Sequence, residues 1–128
     1  QYRKKEEMKK GKLKVKESIW RVDNPFRRVG VELIVDTGAT YTMIPQSLLE
    51  ELGVKKIRVI RLRLANNTVV ERPLGEIGIE VEGYSVSATP VIFGYEEIYL
   101  LGSVTMEQLG LAPDPVEKRL KPVEALLL

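Results

Sequence analysis

Short apolar runs separated by turn-forming residues dominate the chain and predict a β-rich fold. Most runs alternate apolar with polar residues, as in Glu76–Glu82, which is typical of a strand with one buried face. Val29–Val35 instead ends in a continuous apolar stretch, which indicates burial on both faces. The predicted strands are Leu13–Val22, Val29–Val35, Ile57–Leu64, Thr68–Arg72, Glu76–Glu82, Tyr84–Phe93, Ile98–Leu101 and Val116–Leu120.

One hairpin and one irregularity are expected within these strands. Asn66-Asn67 tolerate the left-handed conformation of a tight turn, so they predict a hairpin between Ile57–Leu64 and Thr68–Arg72. The apolar positions change parity inside Ile57–Leu64, and this slip predicts a β-bulge near Val59-Ile60.

Proline and glycine signals predict two short helices. Gln46–Leu52 lies between Pro45 and Gly53, and Val104–Leu109 is closed by Gly110. In both places an apolar strand, a glycine-containing turn, a short helix and a glycine follow one another. This repetition predicts a duplicated unit whose two copies pack about a pseudo-twofold axis.

The composition limits the chemistry more than it limits the fold. With 128 residues, of which 44% are hydrophobic, the chain is about the size of one globular domain. It contains no cysteine and no histidine, which excludes disulfide scaffolds, thiolate nucleophiles, Ser-His-Asp triads and Cys- or His-ligated metals. The acidic residues show no spacing typical of a metal site, so we expect no metal and no cofactor. Many Lys and Glu residues, with three Asn and three Gln, favour a thermostable protein.

The charge is distributed unevenly along the chain. Residues 1–16 carry eight basic side chains against Glu6 and Glu7, a net of +6; because the whole chain carries +2, the remaining 112 residues carry −4. Such a segment either binds nucleic acid or anionic lipid or is a solvated tail, and no aromatic residue interleaves the lysines to favour binding. We therefore expect a basic, flexible arm over residues 1–12, a single domain over residues 13–128, and no nucleic-acid partner.

Targeting signals are not evident in the sequence. The longest apolar run is far shorter than the roughly 18 residues of a membrane span, and the chain does not begin with a signal-peptide pattern. We expect no membrane span and a cytoplasmic location. Gln1 is not an initiator residue, however, so an anchor upstream of it stays open.

Asp36-Thr37-Gly38 is the main candidate for chemistry. It directly follows the apolar end of Val29–Val35, where a buried strand would turn. Taken alone, the tripeptide also fits an Asx-type turn that closes a strand. In a chain without histidine, a carboxylate is the natural general base for a hydrolysis, and Gly38 would allow close backbone approach.

A second motif makes a resemblance specific. Val35–Thr40, followed much later by Ile98–Gly102 before a helix, is similar to the pattern of retropepsins, the retroviral-type (clan AA) aspartic proteases, and resembles their small cellular members most. Ala65–Thr68 falls where the tip of the family's flap hairpin should lie. The likeness runs from about Leu13 to the C-terminus. It implies an all-β subunit of closed, barrel-like sheets with a flap hairpin and two short helices.

The resemblance also implies a mechanism and a set of site residues. A retropepsin subunit supplies one Asp, so a chain with a single Asp-Thr-Gly would be an aspartic endopeptidase acting as a homodimer on an extended peptide or protein. Asp36 would be the catalytic acid and base, with Thr37 and Gly38 supporting the loop. The implied substrate-binding residues are Ala39, Thr40, Ala65, Asn66, Asn67, Ile98 and Leu100.

Several features depart from the viral pattern. The tip Ala65–Thr68 contains no glycine, Ser103 replaces the Arg that usually follows Gly102, and the viral dimer-forming terminal strands have no clear match. The apolar residues 125–128 form either a disordered end or a contact with a partner subunit. The main rival interpretation is a non-catalytic retropepsin-fold module that binds peptides or partners. A weaker one is a nucleic-acid or membrane-surface protein that uses the basic arm.

Overall fold

A seven-stranded sheet that curls back on itself organises the chain in the computed structural model, which describes residues 13–125 and residue 127. The expected basic arm over residues 1–12 lies outside these residues. The described elements, in chain order, are β1 (Lys14–Arg21), β2 (Val29–Val35), β3 (Thr42–Pro45), α1 (Gln46–Leu52), β4 (Arg58–Arg63), β5 (Val69–Val81), β6 (Tyr84–Gly94), β7 (Leu100–Leu101), α2 (Ser103–Leu109), β8 (Leu111–Asp114) and β9 (Arg119–Pro122).

The sheet forms a partly closed ring. Its strand order is β1-β2-β7-β3-β6-β5-β4, and an additional pairing between β1 and β5 brings the two sides together. The long strand β5 makes this possible, because its first half pairs with β4 while its second half pairs with β1 and β6. The hairpin of β4 and β5 therefore extends beyond the ring. The predicted all-β fold with two short helices is confirmed.

Alternate residues of the ring strands fill its interior. Ile19, Leu33 and Ile77, from three different strands, have no exposed surface. The helices cover this core with the apolar faces that their sequences provide, α1 through Leu49 and Leu52 and α2 mainly through Met106 and Leu109. Each such side chain contributes about 1.5–3 kcal/mol by leaving water. The core thus fixes the ends of β2 and β7, where the candidate site lies.

Both helices end at the predicted glycines. Gly53 has a φ of 81° and Gly110 a φ of 71°, and their N–H groups close the last turns. This left-handed conformation strains residues that carry a side chain, so glycine is the natural stop. α1 has the predicted bounds, and α2 begins one residue before its predicted start. The pseudo-twofold relation between the two units stays a prediction.

The predicted break between two strands at residues 73–75 is wrong, because β5 is continuous there. The sequence predicts Thr68–Arg72 and Glu76–Glu82 as separate strands, whereas one strand runs through Pro73 and Gly75. Proline is compatible with extended backbone. Gly75 serves a close approach instead of a turn, because a Cβ there would lie 2.7 Å from the carbonyl oxygen of Lys55.

The predicted β-bulge near Val59-Ile60 is also wrong. β4 pairs with β5 without a register shift along its whole length. The parity slip arises because Ile57 and Val59 are apolar yet more than half exposed. The register shift lies instead between β5 and β6, around Gly78, where a Cβ would overlap the indole of Trp20.

The last predicted strand, Val116–Leu120, is replaced by a hairpin of β8 and β9. Val116 belongs to its turn and is 87% exposed. The turn is built by Asp114, whose carboxylate accepts the N–H groups of Val116 at 2.8 Å and Glu117 at 3.2 Å. The apolar Val116 led to the prediction of a strand here, whereas the hydrogen bonds of Asp114 make the segment a turn.

Candidate active site

Asp36 follows the last residue of β2 and lies beside the short strand β7. The two strands are parallel, with Ile34 opposite Leu100 and Val35 opposite Leu101. The backbone N–H of Asp36 donates to the carbonyl oxygen of Leu101 at 3.0 Å. A distant part of the chain therefore holds the backbone of this aspartate.

The residues after Asp36 form a tight turn around its side chain. The N–H of Gly38 donates to Asp36 Oδ1 at 3.0 Å, and the N–H of Ala39 donates to the Asp36 carbonyl oxygen at 3.1 Å. A Cβ on Gly38 would lie only 3.3 Å from that carboxylate oxygen, so glycine suits this position. The Asx-type turn and the candidate acid thus occupy the same loop, since the carboxylate of Asp36 is also the acceptor that closes the turn.

The surface of this loop is open in the single subunit. Thr37, Gly38 and Thr40 are exposed, and Asp36 and Ala39 are half-buried. The back of the loop is attached to the start of α2, because Ser103 N–H donates to the Ala39 carbonyl at 2.8 Å and Val104 N–H to that of Thr40 at 3.0 Å. The loop therefore presents one accessible side and one fixed side.

The wall next to the loop is apolar. Leu100 is half-buried between β2 and β3, since it pairs with Ile34 on one side and Met43 on the other. Ile98 lies two residues earlier and is 37% exposed. Burial, with a contribution from Glu97, raises the pKa of the Tyr99 phenol, which suits a packing residue better than a proton donor.

The hairpin of β4 and β5 packs against the segment that directly follows this loop. Ile60 and Leu74 of the hairpin form a buried cluster with Ile92, and Tyr41 and Met43 pack against it. Tyr41 continues directly from the Asp36 loop. The body of the hairpin is therefore anchored beside the site, as expected for a flap.

The predicted substrate-binding residues Ala65, Asn66 and Asn67 lie at the exposed tip of this hairpin. Asn66 Oδ1 accepts the N–H of Thr68 at 3.0 Å, and Asn67 adopts a φ of 71°. The guanidinium of Arg63 donates to both the backbone and the side-chain oxygen of Asn67, each at 3.1 Å. Asn66, Asn67 and Arg63 thus shape the glycine-free tip. The other predicted site residues Asp36–Thr40 and Leu100 lie together at the ends of β2 and β7.

A second surface feature involves none of the predicted site residues. A shallow cleft of about 450 Å³ lies where β3 and β6 end, lined by Pro45, Gln46, Ser47, Gly94, Tyr95, Glu96 and Glu97.

Within the part of the chain that the structure describes, no three acidic residues are grouped in a way that could hold a metal ion.

Sequence reasoning missed three buried threonines behind the loop. Thr42 Oγ1 lies 2.6 Å from Thr105 Oγ1, which lies 2.7 Å from Thr89 Oγ1. All three residues have no exposed surface. The only available signal was threonine at otherwise apolar positions, as in the run from Tyr41 to Ile44.

The comparison with protein families agrees with this geometry. A family model described as aspartyl protease matches residues 22–109, a span that contains the Asp36 loop, the hairpin and Gly102. The chain therefore belongs to this family of retropepsin-like aspartyl proteases. A search of curated proteins gives no match. Neither helix of residues 13–125 has the length and apolarity needed to cross a bilayer.

Proposed function

We propose that the protein is an aspartic endopeptidase that acts as a homodimer, with Asp36 of each subunit forming one catalytic pair. The observation that carries the proposal is the Asp36-Thr37-Gly38 loop, whose exposed side is open and whose back is fixed by hydrogen bonds to Leu101 and Ser103. A rigid scaffold that presents a carboxylate at an open surface is what such chemistry needs.

The pair would work by sharing one proton. Two carboxylates in contact cannot both ionise cheaply, so one of them stays protonated. The ionised carboxylate takes a proton from a water molecule, whose oxygen attacks the scissile carbonyl carbon, while the other carboxyl gives its proton to the carbonyl oxygen. The resulting tetrahedral diol collapses: the C–N bond breaks, the amine nitrogen takes a proton from the pair, and a diol proton returns to it.

Exposure of the loop supports a dimer about Asp36. Thr37 and Gly38 are exposed in the single subunit, so a second copy of the loop could contact them. We infer that the hydroxyl of Thr37 bonds to the partner's loop and holds the two carboxylates in one plane. The predicted contribution of residues 101–103 would come from Ser103, because Leu101 and Gly102 are buried within the subunit, and the exposed Ala125 and Leu127 would add to the interface.

An extended peptide would lie between the Asp36 loop and the hairpin. In the described part of the chain, the internal bonds of the hairpin tip use the N–H groups of Leu64, Asn67 and Thr68, and not those of Ala65 and Asn66. Those two amides are therefore suited to bind a peptide backbone. Ile98, Leu100, Ala39 and Thr40 would line the groove beside the scissile bond.

Substitution of the aspartate tests the proposal directly. We expect Asp36→Asn to lower hydrolysis of an unfolded protein substrate at least about a thousandfold, because both carboxyl groups of the homodimer's pair become amides that cannot take up the proton of water. The circular dichroism spectrum should stay unchanged. Asp23→Asn is the matched control, since Asp23 is an exposed residue that pairs with Arg21 in a turn at the other end of β2. A statine-type transition-state analogue should also inhibit the wild-type protein.

The same experiment separates the rival role. A non-catalytic peptide-binding module would bind peptides equally well before and after the Asp36→Asn substitution, and no fragment would appear with the wild-type protein. Wild-type activity in the Asp36→Asn variant would contradict the assignment of the catalytic residue.

A further inference from the structure

Three buried threonine hydroxyls form a continuous chain of hydrogen bonds across the core. Thr42 begins β3, Thr105 lies in α2 and Thr89 lies in β6, so the chain joins three elements that are distant in sequence. The oxygen–oxygen distances are 2.6 Å and 2.7 Å, and none of the three residues has exposed surface. Buried polar groups are costly unless they bond to one another, so this arrangement is maintained as a unit.

The chain has one end at the candidate active site. Thr42 Oγ1 accepts the backbone N–H of Gly102 at 3.1 Å. A hydroxyl has one proton, so Thr105 cannot donate to both of its neighbours and accepts from at least one of them. The far end is Thr89 on β6, whose hydroxyl bonds to that of Thr105.

Gly102 is flanked by the bonds that hold this loop. The residue before it, Leu101, accepts the N–H of Asp36, and the residue after it, Ser103, donates to the carbonyl of Ala39. The position of the Gly102 peptide therefore affects both bonds. Thr42 fixes that peptide through a side chain that is itself fixed by Thr105.

We propose that Thr42 is a positioning residue for Asp36, acting through the Gly102 amide, with Thr105 orienting its hydroxyl. This inference rests on the proposed function of Asp36. A valine in place of Thr42 would keep the shape of the side chain but leave the Gly102 N–H without its partner. The peptide could then shift, and small displacements of catalytic groups lower kcat strongly.

Thr42→Val and Thr89→Val form a matched pair of variants. Each deletes one buried hydroxyl from one end of the chain and leaves Thr105 with a single hydroxyl neighbour, so each should lower the melting temperature, Thr42→Val more because it also leaves the Gly102 N–H unpaired. Only Thr42→Val removes the acceptor of Gly102. We expect it to lower kcat about tenfold or more with little change in KM, whereas Thr89→Val should keep kcat within about twofold. Thr42→Ser, which keeps the hydroxyl, should restore kcat.

Equal kcat values for Thr42→Val and Thr89→Val would overturn the proposal, because losing the acceptor of the Gly102 N–H would then have no effect of its own on catalysis. If Thr42→Val does not fold, Thr42→Cys replaces it, since a thiol is a weaker acceptor of similar size and should give a smaller version of the same difference. An unchanged kcat in the cysteine variant would count against the proposal in the same way.

A second measurement keeps this test separate from the proposed function. In ¹⁵N-labelled protein, the amide signals of Gly102 and Asp36 should shift and exchange faster with solvent in Thr42→Val but not in Thr89→Val. This comparison applies even if the wild-type protein cleaves no peptide, in which case the proposed function fails by itself. Amide signals that stay unchanged in both variants would refute the positioning role.

Discussion

A Cβ atom on Gly102 would lie 2.4 Å from the carbonyl carbon of Tyr41, so the turn after β7 and the end of the Asp36 loop are in direct backbone contact. The same atom would lie 2.6 Å from the Tyr41 oxygen and 2.7 Å from the Thr42 nitrogen. Backbone atoms cannot move aside as a flexible side chain can. The Ile98–Gly102 motif therefore packs directly against the backbone that follows the Val35–Thr40 motif.

This contact predicts a severe effect of Gly102→Ala. The added methyl group must push two backbone segments apart, which we expect to cost more than about 3 kcal/mol of unfolding free energy. Gly30→Ala is the control: a Cβ on Gly30 would meet only the Glu17 carbonyl oxygen at 3.9 Å, so the change should be within about 1 kcal/mol. Urea unfolding of both variants measures the difference, and equal costs would show that the two backbones separate easily.

The sequence predicts the parts of the fold that depend on local signals. The bounds of β2 and α1 and the glycine stops of both helices agree with the structure because apolar periodicity and left-handed glycines act within a few residues. The sequence does not predict β3, since Thr42–Pro45 is too short to show a period. The role of Gly75 depends on Lys55, and no local pattern could reveal that contact.

The site shows the same division between local and long-range information. The Asp36 loop is predicted because its motif is contiguous, and the link to Ile98–Gly102 came from the resemblance. The hydroxyl chain from Thr42 to Thr89 joins three separate elements and is visible only in three dimensions. The roles of the predicted site residues stay predictions until activity is measured.

Because Glu17 is buried, we expect the unfolding free energy of the protein to fall as the pH rises. Glu17 lies on β1 between Val31 and Val81, is buried, and both carboxyl oxygens lack a hydrogen-bond partner within the part of the chain that the structure describes. Burial raises the pKa of Glu17 from 4.5 to about 8, and the negative charges of Glu82 and Glu32 add to the shift.

The sign follows from proton binding. Below pH 4.5 both states hold the proton, whereas between pH 4.5 and about 8 only the folded state does, so unfolding releases it. The unfolding free energy should fall across this range, by at most about 5 kcal/mol, and then level off. In Glu17→Gln the decline should be much smaller, while Glu76→Gln, on an exposed position of β5, should keep it. Parallel declines in the wild-type protein and Glu17→Gln would show that another group is responsible.

The shared proton predicts a bell-shaped pH profile of activity. In the proposed mechanism the pair must hold one proton, so cleavage should be fastest on the acidic side and fall towards neutral pH as that proton is lost. Initial rates on a peptide substrate give the profile. Glu17→Gln is the control that separates this decline from the loss of stability, and it should show the same profile as the wild-type protein. A rate that is flat from acid to alkaline pH would require a different chemistry.

The single Asp-Thr-Gly of the chain predicts that activity depends on protein concentration. Two copies of Asp36 meet only in a dimer, so specific activity should rise as the concentration passes through the dissociation constant. Ala125 and Leu127 are exposed, Leu127 at 94%, and they make few contacts within the subunit. Deleting residues 125–128 should therefore raise the dissociation constant about tenfold, a loss of about 1.4 kcal/mol of association, while the melting temperature changes little.

Val116→Ser is the control, because it removes another exposed apolar side chain in the turn between β8 and β9. Sedimentation equilibrium across a dilution series measures all three proteins. An unchanged dissociation constant would remove the chain end from the interface, and a fully active monomer would overturn the catalytic pair itself.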